Sequence, residues 1–405
     1  MSIRSSFFLN LLCLFVFLPL TSWAQNFNWE IQDQNLFSRY RAPNIAIASK
    51  TNPNNLVGLD SYCWDQRYYI QTHLKYEDFT DILVRLKPKF TLTDHSENLW
   101  VYFDESYASF HPFNHLDIDI GRKKANWGTG YAWNLVSLFE NKNRFIDTDI
   151  EYNELFQAQY FWGQDLTTSF LHGYNDKKTG IKLHTSSTNL DLDIYGFLEE
   201  GRGKIGGDLS FVANQNLELH AEVLIQNGSD SYYPTNPTSD IYLWEQTKKE
   251  GSYFVPFIIG LQYTTDDLAN IIFEYFYNPA GLNKDENTIF KNGVDASLLN
   301  QKYTQNTVWR QFLFDTHTYY QFSRFQQHYL FFRFFKERVF PSIDFEWIEM
   351  YSPVDSGHLI VPSISYKVSE ESILKTSLFV PFGNEYSEFK WYYNNFLEFS
   401  YSVYL

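Results

Sequence analysis

The chain has 405 residues, with 48 acidic side chains against 32 Lys and Arg and a formal charge of −16. It has no basic surplus of the kind that binds nucleic acid. Aromatics make up 20% of it, led by 38 Phe and 30 Tyr, a composition suited to pleated surfaces more than to helices.

Residues 1–24 read as a secretory signal. Arg4 gives a positive start, residues 7–20 are apolar apart from Asn10, and Ser22-Trp23-Ala24 is a small-x-small cleavage site before Gln25. Cys13 lies inside the apolar run and not at its end, which argues against a lipid anchor. Without the leader Cys63 is the one cysteine, so a disulfide scaffold is excluded. No later stretch reaches the roughly 18 apolar residues of a spanning helix. An exported chain of this kind is either a soluble all-β domain or a membrane barrel.

Residues 25–67 are irregular, with Pro43 and the turn cluster Asn52-Pro53-Asn54-Asn55, and suit a periplasmic tail, a small plug or a first strand. Regular alternation begins at Tyr68, and residues 68–405 are expected to form the barrel. Over 82–92 every even position is apolar (Ile82, Val84, Leu86, Pro88, Phe90, Leu92), while Arg85, Lys87 and Lys89 lie on the other face. Eleven residues is long for a soluble sandwich and right for a tilted membrane strand, which needs about nine to eleven. Pro88 is tolerable there only at a bulge or local break.

Comparable segments follow at 99–110, 115–123, 155–162, 166–174, 180–186, 189–197, 203–213, 217–226, 254–264 and 268–277. The last third adds 308–322, 326–336, 342–351, 357–368, 371–380 and 396–405. In 217–226 Leu217, Leu219, Ala221, Val223 and Ile225 oppose Glu218, His220 and Glu222. Charged faces against uncharged ones are the dyad repeat of a wall between lipid and water. The fold expected is therefore all-β, a transmembrane antiparallel barrel of eighteen strands, or sixteen, with long extracellular loops.

Joins at 124–154, 227–253 and 278–306 are long, and those near 188, 214 and 266 are short. Counted from Tyr68, however, the three long joins follow even-numbered strands and the 383–395 join an odd one. An extra strand near Leu56 and a merged or missing pair around 278–322 would restore the parity.

The stretch 121–139, GRKKANWGTGYAWNLVSLF, brings three glycines and two tryptophans to the end of an alternating strand. A tight backbone turn with rings at an interface is expected there. Gly121, Arg122, Asn126, Trp127, Gly128 and Gly130, followed by Trp133-Asn134 and Leu138-Phe139, resemble the porin-like outer-membrane barrels of Gram-negative bacteria, most closely the alginate-export porins. Ser387-Glu388-Phe389 ahead of the last strand adds to the likeness, although Leu135 stands where that group usually has proline. The final strand, alternating to Leu405, resembles the signal read by the barrel assembly machinery.

The resemblance implies a channel in the outer membrane, embedded in lipid and lipopolysaccharide, that passes or exports a hydrophilic solute, saccharide included. The residues themselves suggest lumen candidates in Arg85, Lys87, Lys89, Arg122 and Arg333, opposed by Asp208, Glu218, Glu222, Asp344 and Glu346. Opposed charge rows across a narrow lumen select ions. The same side chains could instead pair with one another and fill the barrel. Trp127 and Trp133 could stack on sugars, but suit a girdle or a loop folded against the wall better. No GxSxG, HExxH or phosphate-loop motif is present, no Cys/His spacing suggests a metal, and neither an enzyme nor a cofactor is expected. The alternatives are an envelope-assembly or polysaccharide-binding barrel with a closed lumen, and, less favoured, a barrel hydrolase.

Overall fold

The computed structural model describes residues 28–41, 63–76, 80–93, 96–125, 127–137, 153–175, 177–199, 201–229, 231–238, 241–246, 252–304, 307–320, 324–392 and 395–404. The leader, Asn126, Leu138, Phe139 and Leu405 lie outside the described residues.

The strands are β1 (Asn28–Arg41), β2 (Cys63–Tyr76), β3 (Thr80–Thr93), β4 (Glu97–Phe113), β5 (Leu116–Lys123), β6 (Asn153–Phe161), β7 (Leu166–Gly173), β8 (Lys178–Ser186), β9 (Leu190–Glu199), β10 (Arg202–Val212) and β11 (Leu217–Asn227). A small hairpin, β12 (Tyr232–Thr238) and β13 (Ile241–Gln246), then precedes β14 (Tyr253–Phe254), β15 (Phe257–Thr264) and β16 (Ala269–Tyr277). Two helices, α1 (Lys284–Thr304) and α2 (Thr307–Tyr319), lead into β17 (His328–Phe340), β18 (Ile343–Ser352), β19 (Gly357–Ser369) and β20 (Ser372–Phe382). The five-residue α3 (Glu388–Tyr392) comes before β21 (Phe396–Tyr404).

Apart from the β12–β13 hairpin, the strands form one antiparallel sheet in which each pairs with its chain neighbours. β21 pairs with β1, and β1 with β2, so the ladder returns to its start. This meets the requirement that backbone in lipid have its hydrogen bonds satisfied within the wall. β14 and β15 both lie along β11. Pro256 between them has no N–H to give, so they form one stave with a gap, and the wall has eighteen among the described residues. In β3 the pairs with β2 jump from Arg67–Lys89 to Ile70–Leu86 across Pro88, a local break of the kind its missing N–H requires.

The parity mismatch resolves through two offsetting differences from the sequence reading. The ladder begins with β1, ahead of Tyr68, and residues 307–319 are helix α2, not a strand. With these changes every long join falls at one end, and the other end carries only short turns.

The burial pattern is inverted relative to a soluble protein. On β11 Leu219, Val223 and Ile225 are 41%, 41% and 44% exposed, whereas His220 and Glu222 are each 2% exposed. Ile205, Leu209 and Phe211 on β10 and Ile364, Tyr366 and Val368 on β19 likewise face outward, and Asp208 and Ser363 inward. A continuous exposed apolar band of this extent is what hydrocarbon, not water, covers.

Candidate functional site

Gly121 ends the alternation of β5 with φ +134°, where a Cβ would strike the β4 backbone at Ser106 and Tyr107. The chain after it turns into the barrel, and residues 127–137 sit on two buried carboxylates of the inner wall. Glu222 Oε1 accepts the N–H groups of Thr129 (2.7 Å) and Gly130 (2.6 Å), and its Oε2 that of Leu135 (2.7 Å). Glu274 accepts the N–H of Tyr131 (2.6 Å) on Oε1 and that of Ala132 (2.8 Å) on Oε2. Five N–H groups end on these two carboxyls, and at on the order of 0.5–1.5 kcal/mol net per hydrogen bond the seat is strong. The Tyr131 hydroxyl donates to Gln262, Asn134 Nδ2 to the Trp127 carbonyl, and the Ser137 N–H to Asn134 Oδ1 (2.9 Å).

The glycines of the motif follow from this seat. A Cβ on Gly128, which also has φ +98°, would meet Glu222 and Asn134, and one on Gly130 the Trp133 carbonyl. On the wall, His220 Nε2 donates to Glu274 Oε1 (2.8 Å) across the intervening strand β15. Gly260 stands between them in register, and any side chain there would occupy the His220 ring.

The two tryptophans fasten the loop at either side. Trp127 packs on Tyr195 and Phe197 of β9, with Lys182 over its ring. Trp133 packs on Phe276, Tyr329 and Phe331. Around Trp133 the inward faces of β15–β21 form an apolar cluster that also takes Phe389 of α3. Arg324, just before β17, donates to the Asn134 carbonyl (3.3 Å) and ties the loop to the outer segments. Those segments share a core of their own, in which Trp244 of β13, Phe290 of α1, Phe312 of α2, Phe325 and Trp391 of α3 meet. Three long joins are thus fused into one cap.

The other sequence candidates lie at several places. Arg85 pairs with Glu105 (3.1 Å), and both are partly exposed. Lys89 is half-buried, while Lys87 is only 3% exposed. Arg333 (2.7 Å) and Lys375 (2.8 Å) both bind Glu346. Asp344 accepts the Arg338 N–H (2.9 Å), and Glu218 the Ser210 hydroxyl (2.7 Å). Asp208 accepts the Tyr195 hydroxyl, which also reaches Asp193 (2.9 Å), where His184 (2.7 Å) and Lys182 (3.3 Å) converge. Glu222 holds the loop instead of lining open water. Strand alternation puts Arg122 beside Glu154, on the side of Ile118 and Ile120, which is the outer face at the rim. Glu274 and Gly260 escaped the sequence reading, yet each left a signal, a lone carboxylate in ANIIFEYFY and a glycine in FIIGLQYT.

No known protein family and no curated protein matches the chain. Solved structures do. Acinetobacter baumannii OccAB1 is similar over 93% of this chain and 96% of its own, at 10% identity and TM-score 0.54. Pseudomonas aeruginosa OccK11 covers 93% and 96% at 9% identity and TM-score 0.52. Pseudomonas aeruginosa OprD covers 93% and 94% at 9% identity and TM-score 0.51. The narrower likeness to alginate-export porins thus rests on sequence motifs alone, those of residues 121–139 and of Ser387-Glu388-Phe389, whereas the fold of the chain is that of the outer-membrane porins.

Proposed function

We propose that the chain is an outer-membrane channel through which a hydrophilic solute diffuses, narrowed by the loop 127–137. The observation that carries this reading is the two-faced wall, apolar and exposed outside, polar and hydrogen-bonded inside. The packing of the loop runs from β6 and β7 round to β17 and leaves β2–β5 as the opposite wall. The passage runs along that wall, past Arg85, Lys87 and Lys89, and faces Asp193, Asp208, Glu218 and Glu346 across the lumen. Such opposed charge makes a transverse field that sorts ions. The protein resides in the outer membrane among lipid and lipopolysaccharide, placed there by the barrel assembly machinery.

The test is current through the purified protein in a planar bilayer under a salt gradient. Steady current is expected, and combined Arg85→Gln, Lys87→Gln and Lys89→Gln replacement should move the reversal potential toward cation preference. An unchanged potential removes the basic row from the mechanism, and silence in the wild type removes the channel. The apolar packing of Trp133 and Phe389 inside the long-loop half favours one second reading, a closed barrel that binds polysaccharide on its cap. Liposome swelling in sugars separates the two, since only an open lumen admits them.

A further inference from the structure

A cleft of about 600 Å³ opens where the start of α1, the β18–β19 turn and the top of β16–β17 meet. Tyr275, His328, Gln327, Asn283, Lys284 and Asp285 line it. It is on the outside of the barrel. Tyr275 stands two residues above Phe273 on the same face and pairs with Ile259, and these two are 39% and 57% exposed. His328 shares the outward face of β17 with Leu330 and Phe332, opposite the inward Tyr329 and Phe331.

The floor of the cleft is aromatic and joined by a hydrogen bond. Tyr275 Oη and His328 Nδ1 are 2.8 Å apart, with the rings 16° from parallel, and the Tyr277 ring also contacts His328. The walls carry two amides, from Asn283 and Gln327, and one ammonium beside one carboxylate, Lys284 and Asp285. A phosphate would need a surplus of cations or free backbone N–H groups here; Asp285 offsets Lys284, and Asn283 Oδ1 already accepts the N–H groups of Asp285 (2.9 Å) and Glu286 (3.0 Å). A hydrocarbon chain would leave the amides unpaired. A sugar ring suits both surfaces, with its C–H face on the rings and its hydroxyls on the amides and charged pair.

We propose that this cleft seats a sugar unit in the head group of an outer-leaflet glycolipid, whose acyl chains run down the wall past Phe273 and Ile259. A lipid-borne sugar is favoured over a free one because the cleft opens directly above the apolar band. The inference rests on the reading of the chain as a membrane barrel whose long joins face outward.

The experiment compares the full chain with a Tyr275→Ala, Gln327→Ala double variant, both in phospholipid nanodiscs and with the fold verified by heat-modifiable migration. Binding is measured to rough-type lipopolysaccharide, to its free core oligosaccharide and to added phosphatidylglycerol. The wild type should bind lipopolysaccharide, and the variant at least about tenfold more weakly, with phosphatidylglycerol bound alike by both. Equal lipopolysaccharide binding by the two chains, or none by the wild type, overturns the site. Oligosaccharide bound as tightly as the lipid overturns the lipid-borne source, and loss of phosphatidylglycerol along with lipopolysaccharide overturns the sugar. Bilayer current, recorded on the same samples, reports separately on the channel.

Discussion

Gly260 shows how one absent side chain organises the interior. His220 on β11 can reach Glu274 on β16 only because the residue between them in register has no Cβ, and Glu274 then receives the Tyr131 and Ala132 amides. Gly260→Val should push the imidazole aside at a cost of about 1–3 kcal/mol and loosen the loop, seen as larger and noisier single-channel current than wild type. Current identical to wild type would show that the latch does not hold the loop. Glu222→Gln should act in the same direction, since a carboxamide accepts only through its oxygen and turns its NH₂ on at least one of the three N–H groups. The glycines of the 121–139 stretch are legible in the sequence as turn makers. The further constraint on Gly128 and Gly130, the approach of Glu222 from a strand some ninety residues away, is not, because nothing local signals a carboxylate coming from the far wall.

At the level of elements, α2 is where sequence pattern and structure part. In 307–319, Val308, Phe312, Phe314, Thr316 and Thr318 fall on even positions and have strand-forming side chains, so the segment reads as a strand. The buried residues, however, are Phe312, Leu313 and Thr316, the three-to-four spacing of a helix face packed on Trp244 and Phe290. Tertiary packing in the cap overrides local propensity. Trp244→Ala should destabilise that cap by about 3–5 kcal/mol, making the long joins sensitive to protease while the strands stay resistant. The cap also carries a pH dependence. Asp355, in the β18–β19 turn, accepts the Glu388 (2.6 Å) and Gly357 (2.9 Å) amides, yet its burial pushes the carboxyl above the ordinary carboxylate range. The folded cap therefore holds a proton that the unfolded chain has lost, and its stability falls as pH rises from the unfolded value through the raised one. Protease resistance of the cap should be greater at the acid end of that window, and Asp355→Asn should flatten the difference.

Across the whole molecule, the strands β8–β11 and β18–β21 are legible because each separates two solvents and writes that in alternate residues. The edges of the pattern are harder to read, since β1 alternates weakly and Pro256 splits a stave. The wall makes a quantitative demand on the outer face. Val223→Arg, near the middle of β11, should cost about 2–4 kcal/mol of folding stability in lipid, and Ser210→Arg, on the inward face of β10, much less. The most direct test is a cysteine scan of β11 from Leu217 to Asn227 in a Cys63→Ser background, with each variant in brominated lipid and carrying a thiol-linked fluorophore. Quenching by the lipid should be strong at Leu219, Ala221, Val223 and Ile225 and weak at Glu218, Glu222 and Leu224, a period of two along the strand. Uniform quenching, or quenching strongest at Glu218 and Leu224, would contradict the account.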